Sequence, residues 1–85
     1  MQTCSYIIKD EMGIHARPAG LFVKEASSFP CKITIAKDGK EVDAKRILGI
    51  MGLGVKCGQE IILTAEGEKE EEAITHLKEF LEQNL

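Results

Sequence analysis

No long hydrophobic run is present in the sequence. The longest, such as Ile61-Ile62-Leu63, fall far short of the roughly 20 apolar residues that a membrane-spanning helix needs. The N-terminal Met1-Gln2-Thr3-Cys4 lacks the charged-then-apolar layout of a signal peptide, so a cytoplasmic location without membrane insertion is expected. Basic residues are not clustered, and 11 Lys and Arg stand against 14 Asp and Glu for a net charge of −3. That balance argues against nucleic acid or an anionic bilayer as the main partner and favours a protein.

Paired cysteine spacing is also missing. Cys4, Cys31 and Cys57 are odd in number and form no CxxC, which excludes a disulfide framework or a zinc site and leaves each as a small apolar packing residue. Gly49, Gly52, Gly54 and Gly58 match neither GxGxxG nor a Walker A loop, so they are expected to serve tight turns rather than a nucleotide. There is no repeat, low-complexity stretch or linker, and 85 residues are expected to form one domain over 1–85.

What is there suits a packed fold. Hydrophobic residues make up 44% and charged residues 29%, enough apolar surface for a core. Ser5-Tyr6-Ile7-Ile8 reads as a strand ended by the polar Lys9-Asp10-Glu11-Met12-Gly13. From Ala16, the spacing of Ala19, Phe22, Val23 and Ala26 predicts an amphipathic helix ending near Ser27-Ser28, with Pro18 in its first turn. Cys31, Ile33 and Ile35 alternate with Lys32, Thr34 and Ala36 as a half-buried strand, Asp38-Gly39 makes a tight turn, and Glu41-Val42-Asp43 returns.

A short helix over Arg46 to Met51 carries more apolar side chains than it can hide, so some of them are expected at the surface. Glu60 to Ala65 is strand-rich. Glu70 to Asn84 places Ala73, Ile74, Leu77, Phe80 and Leu81 at helical spacing, behind an acidic start that suits the helix dipole. The order β-α-β-β-α-β-α predicts an α+β fold, an antiparallel sheet with its helices on one face.

Chemistry concentrates in Gly13-Ile14-His15-Ala16-Arg17-Pro18-Ala19. A helix N-terminus presents unpaired N–H groups and partial positive charge, so the backbone of Ala16 and Arg17 can bind an anion beside His15. The Arg17 guanidinium adds a donor fork for phosphate oxygens. An imidazole with an ordinary pKa of about 6.5 is largely neutral and nucleophilic at cellular pH, able to attack phosphorus directly. The plainer alternative is a histidine that only caps the helix or makes a loop hydrogen bond. His76, on the polar side of the last helix with no partner at helical spacing beyond Glu72, is expected to be a solvated surface residue.

The His15 segment resembles the phosphorylation motif of HPr, the histidine-containing phosphocarrier family of the bacterial sugar phosphotransferase system. Asp38-Gly39-Lys40, Lys45-Arg46-Ile47-Leu48-Gly49-Ile50-Met51-Gly52-Leu53-Gly54 and Gly58 resemble the family's second signature, so the likeness covers essentially the whole chain. It implies an HPr-like open-faced β-sandwich, a four-stranded antiparallel sheet with three helices on one face. It further implies that His15 takes phosphoryl on Nδ1 from enzyme I, ultimately from phosphoenolpyruvate, and passes it to sugar-specific IIA proteins. The chain is then a covalent shuttle rather than a stand-alone enzyme, and is expected to be a monomer needing no cofactor or metal.

By the same resemblance the docking surface comprises Gly20 and Lys24 on the histidine's helix with Ile47, Leu48 and Met51 on the short one; the bland alternative buries the last three in the core. The resemblance also exposes departures. Arg46 stands where many relatives carry a regulatory serine, and arginine can neither accept that phosphate nor mimic it, so a regulatory serine kinase is not expected to act there. Met12 replaces the small or hydroxyl residue common before the histidine. A regulatory paralogue, binding proteins with the same surface but outside sugar uptake, is the competing reading.

Overall fold

The computed structural model describes residues 1–85. Its elements are β1 (Gln2–Ile7), α1 (Ala16–Ser27), β2 (Lys32–Lys37), β3 (Lys40–Asp43), α2 (Ile47–Gly52), β4 (Glu60–Glu66) and α3 (Glu70–Asn84). The strands form one antiparallel sheet in the order β1-β4-β2-β3. Cross-strand pairing sets which side chains share a face: Cys4 lies opposite Leu63, Tyr6 opposite Ile61, and Ile33 and Ile35 opposite Ala65 and Leu63. Against that apolar face pack Ala19, Phe22 and Ala26 of α1, Ile50 of α2, and Ala73, Ile74, Leu77 and Leu81 of α3. Ser5, Ile7, Ile62 and Glu66 line the other, uncovered face. This is the open-faced sandwich, with three helices on one side of four strands.

Helix packing is fixed by shape and by aromatic geometry. Phe22 and Phe80 meet edge to face with centroids 5.8 Å apart, joining α1 to α3. The β2–β3 hairpin turns through Asp38 and Gly39, at φ of 51° and 83°, the left-handed pair that matches the twist of the strands. Lys37 and Lys45 pin neighbouring loops: Lys37 Nζ donates to the carbonyls of Leu53 and Gly54 (3.1 and 3.2 Å) past α2, and Lys45 Nζ donates to those of Phe29 and Cys31 (2.7 and 2.8 Å). No helix is long and apolar enough to cross a membrane.

Several local expectations change. β1 starts at Gln2, paired with Ala65, and ends before Ile8, whose N–H bonds the Gln59 carbonyl. Thr34 breaks the alternation of β2: it is buried on the uncovered side, where its hydroxyl donates to Glu41 Oε2 at 3.2 Å. Gly54 and Gly58 do adopt positive φ in turns, but Gly49 and Gly52 belong to α2. A Cβ on Gly49 would come 3.4 Å from Val42 Cβ, so its role is close approach of helix to strand. Cys31 is buried as expected, Cys4 is half-buried, and Cys57 is exposed.

His76 is partly exposed but not merely solvated. Its Nε2 lies 2.8 Å from Glu25 Oε1 and its ring packs at 5.5 Å from Phe29, a contact between α3 and the end of α1 that local spacing cannot reveal.

Candidate functional site

His15 is the N-cap of α1, with extended backbone (φ −104°, ψ 176°), and its carbonyl accepts from Ala19 N–H at 3.0 Å. The imidazole makes no capping hydrogen bond and stays about one-third exposed. Pro18 has no N–H, and Ala19 has used its own, so the unpaired donors of the first turn belong to Ala16 and Arg17. Arg17 is exposed and makes no ion pair, leaving its guanidinium available to an incoming anion. The histidine, the unpaired amides of Ala16 and Arg17 and the unpaired Arg17 side chain all belong to the same end of α1.

The loop ahead of His15 is held from several sides. Gly13 N–H donates to Asp10 O at 2.9 Å, Met12 N–H to Asp10 Oδ1 at 2.8 Å, and Ile14 N–H to Val55 O at 3.0 Å. The Lys9 and Asp10 amides both donate to the Leu85 carbonyl (2.6 and 2.8 Å), tying the loop to the end of α3. Gly13 is required: its φ is +67°, and a Cβ there would lie 2.3 Å from Val55 O. Asp10 Oδ2 sits 3.5 Å from His15 Nε2. Reading residues one at a time misses Asp10, because its carboxylate reaches the ring only through this folded loop.

The docking candidates lie on α1 and α2, which pack against each other. A Cβ on Gly20 would meet Ile47 Cδ1 at 3.7 Å, so glycine there lets α2 lie close over α1. Ile47, Leu48 and Met51 are 38%, 84% and 37% exposed, whereas Ile50 is 1% exposed, so α2 anchors through Ile50 and presents the other three outward. Lys24 is exposed one turn beyond Gly20. Leu21, 46% exposed, is a further apolar surface residue that the motif reading omits, and Met12, named there only as a departure, is 72% exposed in the loop before His15. His15 lines none of the principal surface concavities, which are bordered elsewhere by strand, hairpin and α3 residues.

Arg46 is the N-cap of α2, without a side-chain cap. Its Nε lies 3.7 Å from Asp43 Oδ2, and the guanidinium-bearing side chain is 81% exposed. Asp43 Oδ1 also accepts the Lys45 N–H at 2.8 Å.

An open-faced sandwich with a histidine capping its first helix defines the HPr-like class of proteins. Residues 2–83 match the family described as the PTS HPr component phosphorylation site, and the chain belongs to that family. It is 42% identical over 78 residues, 92% of either chain, to the HPr-like protein Crh of Bacillus subtilis (strain 168). It is 40% identical over 81 residues to the phosphocarrier protein HPr of Mycoplasma capricolum subsp. capricolum, covering 95% of this chain and 91% of that one. The solved structure of HPr-C-His from Thermoanaerobacter tengcongensis superposes with a TM-score of 0.94 at 49% identity, covering 98% of this chain and 93% of that one.

Proposed function

We propose that this chain is a phosphocarrier of the phosphoenolpyruvate-dependent sugar phosphotransferase system. Nδ1 of His15 accepts phosphoryl from phosphorylated enzyme I and donates it to sugar-specific IIA proteins. The observation that carries this reading is the placement of a part-exposed imidazole at a helix N-terminus whose Ala16 and Arg17 amides and Arg17 guanidinium are all unengaged. That His15 lines none of the principal surface concavities fits a phosphoryl group presented by another protein rather than a small substrate held by this one.

In this mechanism the amides and Arg17 take up the charge of the phosphoryl oxygens as the bond to Nδ1 forms. Gly20, Lys24, Ile47, Leu48 and Met51 supply the surface on which enzyme I and the IIA proteins dock in turn, with the apolar members excluding water from the transfer. The protein acts as a single-domain cytoplasmic monomer. Incubation with enzyme I and phosphoenolpyruvate should leave one acid-labile phosphoryl group on His15, and His15→Ala should abolish it; no transfer to the parent chain would sink the proposal.

The likeness to Crh favours a second reading, a regulatory paralogue that binds partner proteins with the same surface. The two separate on donation: a transport carrier passes its phosphoryl group rapidly to IIA proteins, and a regulator does so poorly. Arg46 leaves the usual regulatory position without a hydroxyl, so a regulator of this sequence would have to work without serine phosphorylation there.

A further inference from the structure

We infer that Asp10 is a positioning residue for His15, holding the imidazole in the tautomer that carries its proton on Nε2 and leaves the Nδ1 electron pair free to attack phosphorus. This rests on the reading of His15 as a phosphoryl acceptor.

The geometry assigns each Asp10 oxygen a task. Oδ1 accepts the Met12 N–H at 2.8 Å, closing a side-chain turn within the loop. Oδ2 is thereby directed to His15 Nε2, 3.5 Å away. The backbone of Asp10 is fixed as well, its N–H on the Leu85 carbonyl at 2.8 Å and its own carbonyl taking the Gly13 N–H at 2.9 Å. A carboxylate so held is an acceptor only, and an acceptor beside Nε2 favours the tautomer with hydrogen at that atom. At 3.5 Å the pair is a charge contact and not a formed hydrogen bond, and catalytic pairs commonly close to hydrogen-bond distance only in the reacting complex.

Both half-reactions use this arrangement. On acceptance, the Nδ1 pair forms the bond to phosphorus while the bond from phosphorus to the donor's nitrogen breaks and its pair returns to that nitrogen. The Nε2 proton stays where it is, and the positive charge that develops on the ring faces the Asp10 carboxylate. On donation, the phosphorus–Nδ1 bond breaks and its pair returns to Nδ1, releasing a neutral imidazole still protonated at Nε2. Without that proton the leaving group would be an imidazolate, a far poorer one. Asp10 therefore serves acceptance and release alike, and no proton has to be moved during transfer.

Two substitutions separate this role from simple support of the loop. Asp10→Asn preserves the shape, but its one oxygen is needed by the Met12 N–H, so its NH2 faces Nε2 and donates, forcing hydrogen onto Nδ1. Asp10→Ala removes the partner and leaves the ring free. If Asp10 only supported the loop, the alanine variant would be the slower, since it loses the turn. The tautomer role gives the reverse order.

The decisive measurement is the 15N chemical shifts of both ring nitrogens in the intact chain, at a pH where the ring is neutral, joined to phosphoryl transfer rates from phosphorylated enzyme I. The parent should show the Nε2–H form in excess, Asp10→Asn should move the ring toward Nδ1–H, and transfer should slow at least tenfold in Asp10→Asn and less in Asp10→Ala. An Nδ1–H majority in the parent, an unchanged tautomer in Asp10→Asn, or Asp10→Ala slower than Asp10→Asn overturns the inference. The nitrogen shifts need no phosphoryl transfer, so a parent chain that fails to accept phosphoryl refutes the carrier reading while leaving the role of Asp10 decided on its own.

Discussion

Replacing Gly13 by alanine should damage this fold far more than the same change at any other glycine with positive φ. Two costs combine there. An L-residue at φ of +67° sits in the left-handed region, at roughly 1–2 kcal/mol. The new Cβ would also lie 2.3 Å from Val55 O and 2.8 Å from Lys56 Cα, both backbone, so the loop must move away. That movement breaks the 3.0 Å bond from Ile14 N–H to Val55 O, leaving a buried residue's amide unpaired at about 1–3 kcal/mol. The sum is about 2–5 kcal/mol, which for a chain of this size lowers Tm by roughly 8–40 °C. Gly39 is the internal control: its φ is +83°, yet nothing lies within 4 Å of its Cβ position, so Gly39→Ala should cost only the first part. Urea titration of both variants at constant m-value reads the difference. A Gly13→Ala loss no larger than that of Gly39→Ala would refute the packing argument, and with it the claim that this glycine holds the His15 loop against the turn at Val55.

Other outcomes follow from the same geometry. Arg17→Ala should leave stability within about 0.5 kcal/mol, since the side chain is exposed and unpaired, yet slow phosphorylation of His15; equal rates by stopped-flow transfer would remove Arg17 from the site. Leu48→Asp, at a position 84% exposed, should likewise keep its melting temperature but weaken binding to enzyme I by about 1–2 kcal/mol, roughly five- to thirtyfold by titration calorimetry. Arg46→Ser puts a good N-cap at the start of α2 and gives up only an exposed contact with Asp43, so chemical denaturation should show a gain of about 0.5–1 kcal/mol. Glu70 should show a pH signature: its hydrogen bond from the Met1 α-amino group, then that from the Gly67 N–H, hold its carboxyl below the usual range, and Glu70 raises the amine in turn. A lowered carboxyl stabilises above its unfolded pKa and loses this as pH falls through the folded value; a raised amine stabilises below its unfolded pKa and loses this as pH rises through the folded one. The stability difference between the parent and Glu70→Gln should therefore be greatest near neutrality and shrink toward both acid and alkali.

How much of this was legible in the sequence depended on whether the cause was local. The helix over Glu70 to Asn84 could be placed to the residue because its stripe, acidic start and length all agree. His15 could be placed at a helix start because Pro18 and the stripe from Ala19 fix where α1 begins. Partners brought in by the fold were not legible. Glu25 meets His76 across 51 residues, and Gly49 is explained by Val42 on a neighbouring strand, so neither follows from spacing. Thr34 reads as solvent-facing by alternation and is buried through Glu41 across the hairpin. Cys57 shows the converse, a residue type that is usually buried standing in an exposed turn.

Asp10 lies between these cases, and it shows why motif reading stops short of the site. It is only five residues before His15, near enough to be noticed, but nothing in that separation says that its carboxylate turns back toward the ring. Three distant or folded constraints supply the direction: the Leu85 carbonyl at the end of the chain's last helix, the Val55 carbonyl beneath Gly13, and the turn that Asp10 makes with Met12. The loop that carries Asp10 to His15 thus takes its shape from contacts far along the sequence, while the face proposed for docking depends on Gly20 letting Ile47 of α2 lie close to α1. The loop is held through Leu85, Val55 and the Asp10–Met12 turn and the docking face through Gly20 and Ile47, different residues, so loop variants should chiefly alter the tautomer and the rate within a bound complex, and α2 variants should chiefly alter affinity.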